Sequence, residues 1–165
     1  MILIGLGANL AGPAGDPRAQ VLAALAALPG EGIRVARRSR LWRSPAWPDP
    51  RDPAFVNAVA RVESALDPAA LLAALHRVEA ALGRVRGATN APRAIDLDLL
   101  DVDGLVRASP PPVLPHPRLA DRGFVLRPLA ELAPGWRHPA DGRAISDLLA
   151  ALPSPDGVEP LEAPS

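Results

Sequence analysis

The chain has 165 residues, 18 basic against 18 acidic side chains, and no cysteine. That length suits one domain with a real core and is short for two. The balanced charge argues against a surface built to coat nucleic acid or an anionic membrane, which leaves a small molecule as the expected ligand. All 18 basic residues are arginine, so Schiff-base catalysis, a P-loop lysine and the protein-kinase strand lysine are excluded. Disulfides and thiolate metal sites are excluded too, and His76, His116 and His138 show no zinc spacing, so any metal must be held mainly by oxygen. No apolar run approaches the ~20 residues of a membrane span, and "MILIGLGANL" lacks the form of a signal peptide, so the chain is expected in the cytoplasm.

In chain order, Ile2 to Leu6 reads as a buried strand, broken by Gly5, Gly7 and Asn9. Asp16 followed by Pro17 is a helix cap with proline at the first position. Val21, Leu22, Leu25 and Leu28 carry that helix to Pro29-Gly30. Ile33 to Trp42 suits a strand with one solvated, arginine-bearing face. After the proline-studded loop "RSPAWPDPRDP", Phe55 to Glu63 alternates. Val56, Ala58, Ala60 and Val62 point one way, while Phe55, Asn57, Arg61 and Glu63 point to a face expected to lie outside the core. Asp67-Pro68 repeats the cap, and Leu71, Leu72, Leu75, Val78 and Leu82 carry a second helix to Gly83. Glu79 edges onto its apolar face and needs a partner there. A loop from Arg84 to Ala94 leads to a strand from Ile95 to Val102. Asp103-Gly104 reads as a hairpin turn returning through Leu105 and Val106. Helical fragments follow around Val125 to Leu132 and Ile145 to Leu152, and from Pro153 the end reads as a loose tail. This order is the split βαβ arrangement, an antiparallel-rich α+β sheet with helices on one face.

Within "RGATNAPRAIDLDLL", Asp96 and Asp98 lie two apart on a strand and share a face. Parallel carboxylates repel unless a cation sits between them, which makes a platform for a hard divalent ion such as Mg²⁺. The alternative is the solvated face of an edge strand. Arg84, Arg86 and Arg93 precede the acids and Arg118 and Arg122 follow near His116. These arginines either grip a metal-bound polyphosphate or neutralise Asp96, Asp98 and Glu79. A calcium loop fails on spacing, with Leu99 and Pro110 where acids belong. "GLGANL" fails as a dinucleotide fingerprint because Leu10 replaces the third glycine, although a close backbone approach stays possible. Phe55 and Asn57, beside the Trp42 to Trp47 loop, either pack or grip a flat heterocycle by stacking and amide hydrogen bonds.

"APRAIDLDLL", preceded by "VEAALGRVR" and followed by "LPHPRLADRGFVLRPL", closely resembles the 6-hydroxymethyl-7,8-dihydropterin pyrophosphokinases of folate biosynthesis, and the likeness runs from "GLGANL" through "SPAWPDPRDPAFVNAV" to about Pro134. The expected organisation is a single domain over 1–152 with a Pro-rich tail over 153–165, and the resemblance implies for that domain a ferredoxin-like βαββαβ core in three α/β/α layers. It implies ATP and the pterin as small-molecule substrates of a monomer, with two Mg²⁺ ions on Asp96 and Asp98, and Asp96 also near the pterin hydroxymethyl group. Arg84 and Arg93 correspond to arginines of the family's mobile catalytic loop. Arg93 and Arg122 are implied on phosphate oxygens and His116 on the nucleotide side, with Glu79, Arg86, Leu99 and Arg118 as further ATP contacts. The pterin pocket maps to Ser44, Pro45, Ala46 and Trp47, to Asn57 as amide reader, and to Phe55 and Phe124 as the stacking pair. Thr89, Asn90 and Pro117 depart from the family pattern, which bears on loop closure and adenine packing. Another Mg-ATP-dependent kinase or a nucleotidyltransferase acting on a small heterocycle is the alternative.

Overall fold

The computed structural model describes residues 1–46, 48–85 and 93–163. It is a single mixed α/β domain with an antiparallel sheet and four α-helices. The elements are β1 (Ile2–Ala8), α1 (Pro17–Ala27), β2 (Arg34–Arg38), β3 (Trp42–Ser44), β4 (Phe55–Glu63), α2 (Pro68–Ala81), β5 (Asp96–Val102), α3 (Gly123–Leu132), α4 (Ile145–Ala150) and β6 (Glu159–Pro160). The sheet runs β5-β1-β4-β3-β6, with β2 also paired to β4. Both cap signatures form: Asp16 Oδ1 accepts from the Ala19 N–H and Asp67 Oδ1 from the Ala70 N–H, each at 2.8 Å.

The single strand expected from Ile33 to Trp42 is two strands. At Ser39 the backbone N–H bonds to Val59 O, while Ser39 Oγ accepts from the Val59 N–H at 3.0 Å and donates to Arg40 O. A hydroxyl thus replaces a carbonyl in the ladder, and β3 restarts with Trp42 opposite Asn57 and Ser44 opposite Phe55.

Alternating residues of the strands supply two apolar clusters. Ile2, Ile4, Ala58, Ala60, Leu97 and Leu99 pack with α1 and α2. Leu3, Val59 and Leu100 pack with α3 and α4. The outward face of β4 therefore is core at Val59, which is fully buried, because helices from the last third of the chain cover it. The reading of helices on one face is corrected in the same way.

Two further expectations change. Asp103 and Gly104 do turn, with φ of 53° and 73°, but no return strand forms. Leu105 and Val106 are exposed, and the chain next pairs at the isolated Arg107–Leu114 bridge. Prolines 110, 111, 112 and 115 lack the N–H a ladder requires. The end expected to be loose is instead tied down. Glu159 and Pro160 pair with Arg43 and Trp42, and the Leu161 N–H bonds to Leu41 O. An edge strand is where a proline is tolerated. No helix among the described residues is long and apolar enough to cross a membrane.

Candidate active site

The site is built across the strands. In the β1 ladders Gly7 stands opposite both Asp96 and Asn57, and Gly5 stands opposite Asp98 and Val59. One row therefore reads Asp96, Gly7, Asn57, Trp42 from β5 to β3. Neither Gly5 nor Gly7 has a positive φ; their role is the missing side chain. A Cβ on Gly7 would lie 3.1 Å from Asn57 Oδ1 and 3.7 Å from the Phe55 ring. Bare backbone thus floors a hollow between the acids and the amide.

Two cavities meet at the acid pair. The first is lined by Ser44, Pro45, Phe55, Asn57 and Phe124, with Gly5 and Gly7 as floor, and Arg93 and Arg122 reach its rim. Away from those arginines and the acids its polar side chains are neutral: Asn57 is 3% exposed and donates through Nδ2 to Ser44 Oγ at 2.8 Å. The Arg122 guanidinium lies 5.4 Å from the Phe124 ring centroid, within cation–π range. The second cavity is lined by Glu79, Arg84, Leu97, Leu99, His116 and Pro117, with Leu72 and His76 at its edge. Asp96 and Asp98 line both.

The charges are interlocked. Arg84 Nη1 lies 2.5 Å from both Glu79 Oε2 and Asp96 Oδ1, and Arg93 Nη1 lies 3.3 Å from Asp96 Oδ2. Glu79, expected to need a partner, also accepts from the Leu97 N–H at 2.9 Å. Burial pushes the Glu79 carboxyl up, against the Leu97 N–H and the Arg84 charge that hold it down. Burial opposes the Arg84 charge as well, but Asp96 and then Glu79 outweigh it and keep the guanidinium firmly protonated.

Asp98 is raised to about 7, first by burial and then by the neighbouring Asp96 charge, with Arg122 3.7 Å away pulling the other way. His116 Nε2 also lies 3.7 Å from Asp98, but burial and then Arg122 lower the imidazole to about 4, so this contact is not an ion pair near neutrality. The Arg118 N–H donates to His116 Nδ1 at 3.2 Å, which leaves the ring proton on Nε2, facing the acids. Among the described residues no cluster of three or more His, Asp or Glu is placed to hold a metal. The oxygen donors available are the Asp96 and Asp98 carboxylates.

Of the residues singled out in the sequence, Ala46 is buried and borders neither cavity, and Arg118 acts through its backbone on His116. Trp47 and Arg86 lie outside the described residues, as do Thr89 and Asn90. Two residues were missed. Asn9 Oδ1 accepts from the Arg93 N–H at 2.9 Å and its Nδ2 donates to Pro53 O at 3.1 Å, so one buried amide joins the segments before β4 and β5. Gln20, fully buried on α1, donates to Leu82 O and Ala94 O at 2.8 and 3.0 Å and accepts from the Ala14 N–H. It ties both flanks of the 83–93 segment. Its signal was present in the sequence: a glutamine in line with Ala24 and Leu28 on the helix is a polar group on an apolar stripe.

Residues 3–134 match the family model of 7,8-dihydro-6-hydroxymethylpterin-pyrophosphokinase. A 2-amino-4-hydroxy-6-hydroxymethyldihydropteridine pyrophosphokinase of Methylorubrum extorquens is 41% identical over 162 residues, covering 96% of this chain and 97% of the relative. The protein of that name from Pseudomonas aeruginosa is 41% identical over 163 residues, covering 97% and 96%. The folic acid synthesis protein fol1 of Pneumocystis carinii is 36% identical over 145 residues, which are 88% of this chain but 19% of that longer protein. The acid pair between two cavities thus sits in a chain that belongs to the 7,8-dihydro-6-hydroxymethylpterin-pyrophosphokinase family.

Proposed function

We propose that this protein transfers the pyrophosphoryl group of ATP to the hydroxymethyl oxygen of 6-hydroxymethyl-7,8-dihydropterin, releasing AMP, as a step of folate biosynthesis. The observation that carries this reading is that two chemically unlike cavities share one wall, the Asp96–Asp98 pair. A flat heterocycle suits the first, with Phe55 and Phe124 on its faces and Asn57, Ser44 and Pro45 at its edge. A polyphosphate suits the acid pair and the second cavity, where Arg84 lies, with Arg93 and Arg122 reaching the same acids from the rim of the first. We assign Glu79, Leu99, His116 and Arg118 to the ATP side as well, with Arg86, and Trp47 to the pterin side. The element order and the apolar clusters on alternating strand residues support the ferredoxin-like, three-layer arrangement. The balanced charge supports small-molecule substrates over nucleic acid, and we assign the protein to the cytoplasm as a monomer.

Asp96 and Asp98 fit magnesium: the donors are all oxygen, they share a face, and burial followed by the Asp96 charge raises Asp98, a cost that a cation between them would relieve. When bound, the two ions of this reading neutralise and align phosphate oxygens. The chain's own residues do the rest. Phe55, Phe124 and Asn57 hold the ring so that its hydroxymethyl group faces the acid pair. The oxygen attacks the β-phosphorus in line, the bond from that phosphorus to the α-phosphate bridging oxygen breaks, and AMP leaves while the hydroxyl proton passes to solvent. Arg93 and Arg122 face the charge spread over the transferred oxygens, where fixed cations act most strongly. His116 offers its Nε2 proton on the nucleotide side. A loose transition state asks little of a general base.

Incubation with ATP, Mg²⁺ and the pterin, followed by chromatography of the nucleotides, tests the reading. AMP with a pterin pyrophosphate ester is expected. ADP would indicate an ordinary kinase, inorganic pyrophosphate a nucleotidyltransferase, and either would overturn the assignment.

A further inference from the structure

The segment after α4 does not trail away from the site. Asp156 Oδ2 accepts from Arg127 Nε on α3 at 2.8 Å, and Asp156 Oδ1 accepts from the Val158 N–H. The same carboxylate lies over Gly123, the first residue of α3: a Cβ there would stand 2.5 Å from Asp156 Oδ2 and 3.4 Å from Leu152. No side chain caps that end of α3, so the acid faces a helix start with open N–H groups and a positive dipole end. One residue on, Gly157 meets the opposite wall. A Cβ on it would lie 2.8 Å from Pro45 Cγ, and its φ of 71° favours glycine.

These contacts matter because of what the two partners carry. The first turn of α3 presents Phe124 to the first cavity and is preceded by Arg122, which faces Asp98. Pro45 follows Ser44, the acceptor for Asn57, on the other side of that cavity. The chain then continues into β6, paired with β3, and is anchored by Glu162. That carboxylate accepts from the Leu41 N–H at 2.6 Å and from Arg38 Nη1 at 2.9 Å. No described residue from 153 to 163 lines either cavity; the contacts reach the first one through Gly123 and Pro45.

We propose that residues 153–163 form a strap that sets the width of the pterin cavity. Asp156 and Gly157 are positioning residues, acting through Gly123–Phe124 and through Pro45. The proposal rests on the assignment of the first cavity to the pterin, and it predicts a loss confined to one ligand.

The test measures both ligands by calorimetry: a non-hydrolysable ATP analogue with Mg²⁺ first, then the pterin titrated into protein saturated with that analogue. Asp156→Ala and Gly157→Ala are expected to weaken pterin binding by about tenfold while the analogue stays within about twofold, since small displacements of a binding wall carry effects of this size. Asp156→Asn, which keeps the shape and one acceptor, should fall between Asp156→Ala and the parent. Glu159→Gln, on the exposed side of β6, should match the parent. A chain ending at Leu152 should repeat the selective loss if it folds, and the point variants decide the matter if it does not. Equal losses for both ligands, or pterin affinity within twofold in both Asp156→Ala and Gly157→Ala, would overturn the strap. Failure of the parent itself to bind the pterin would overturn the substrate assignment and the strap with it.

Discussion

The two cavities on either side of Asp96 and Asp98 are made by different physics. The first cavity, proposed for the pterin, is set by ladder registers: Asn57, Gly7 and Asp96 are neighbours because three strands pair as they do, and Asn57 and Ser44, its neutral polar side chains, bond to each other. The second cavity, proposed for the nucleotide, is set by charge, with Arg84 held between Glu79 and Asp96. A site floored by backbone and closed by rings suits a flat uncharged group, whereas convergent guanidinium groups suit an anion. The acids belong to both sides, and the strongest tests act on that shared wall.

Substituting the wall should abolish the distinction. Asp96→Ala or Asp98→Ala is expected to lower the rate by orders of magnitude, since a misplaced metal costs several kcal/mol of transition-state stabilisation; steady-state AMP release within threefold of the parent would refute their role. Substituting Gln20, which joins Leu82 and Ala94, comes next. Gln20→Ala leaves Leu82 O, Ala94 O and the Ala14 N–H without their partner, a loss of about 2–3 kcal/mol in stability for buried groups. Urea denaturation reads that number directly. Gly7→Ala sharpens the comparison from the pterin side. The added methyl presses on Asn57 Oδ1, so pterin affinity should fall by about fivefold, with ATP affinity unchanged, for an overpacking cost near 1 kcal/mol.

The smallest effect concerns pH at the outer edge of the pterin side. Arg38, followed by the Leu41 N–H, holds the Glu162 carboxyl below the usual carboxylate range. An acid depressed by folding adds stability above its unfolded value of about 4.3, and that contribution is lost as pH falls through the lower folded value. The stability gap between the parent and Glu162→Gln should therefore close below about pH 4, as followed by thermal melts.

Much of the molecule could be read from local chemistry. Asp16-Pro17 and Asp67-Pro68 start helices where expected because a cap and its proline act within one turn. β4 runs from Phe55 to Glu63 as the alternation indicates. The acid pair on one strand face and the need of Glu79 for a partner were equally legible. What escaped reading depends on distant segments. Ser39 splits one strand into two through a hydroxyl bond to Val59, and Val59 becomes core only because α3 and α4 return to cover it. Asn9 looked like a turn residue until its amide met Arg93 and Pro53.

Residue spacing along this chain determined the helix ends, the strand faces and the identity of the donor set, because caps, period-two alternation and carboxylate chemistry act over a few residues. Tertiary structure decided which side chains share a cavity, that Gly5 and Gly7 serve by having no side chain, and that the last residues grip α3 and β3. Those outcomes are set by strand register and by packing between segments more than a hundred residues apart, such as Arg38 and Glu162, and nothing local to either segment encodes the distance between them.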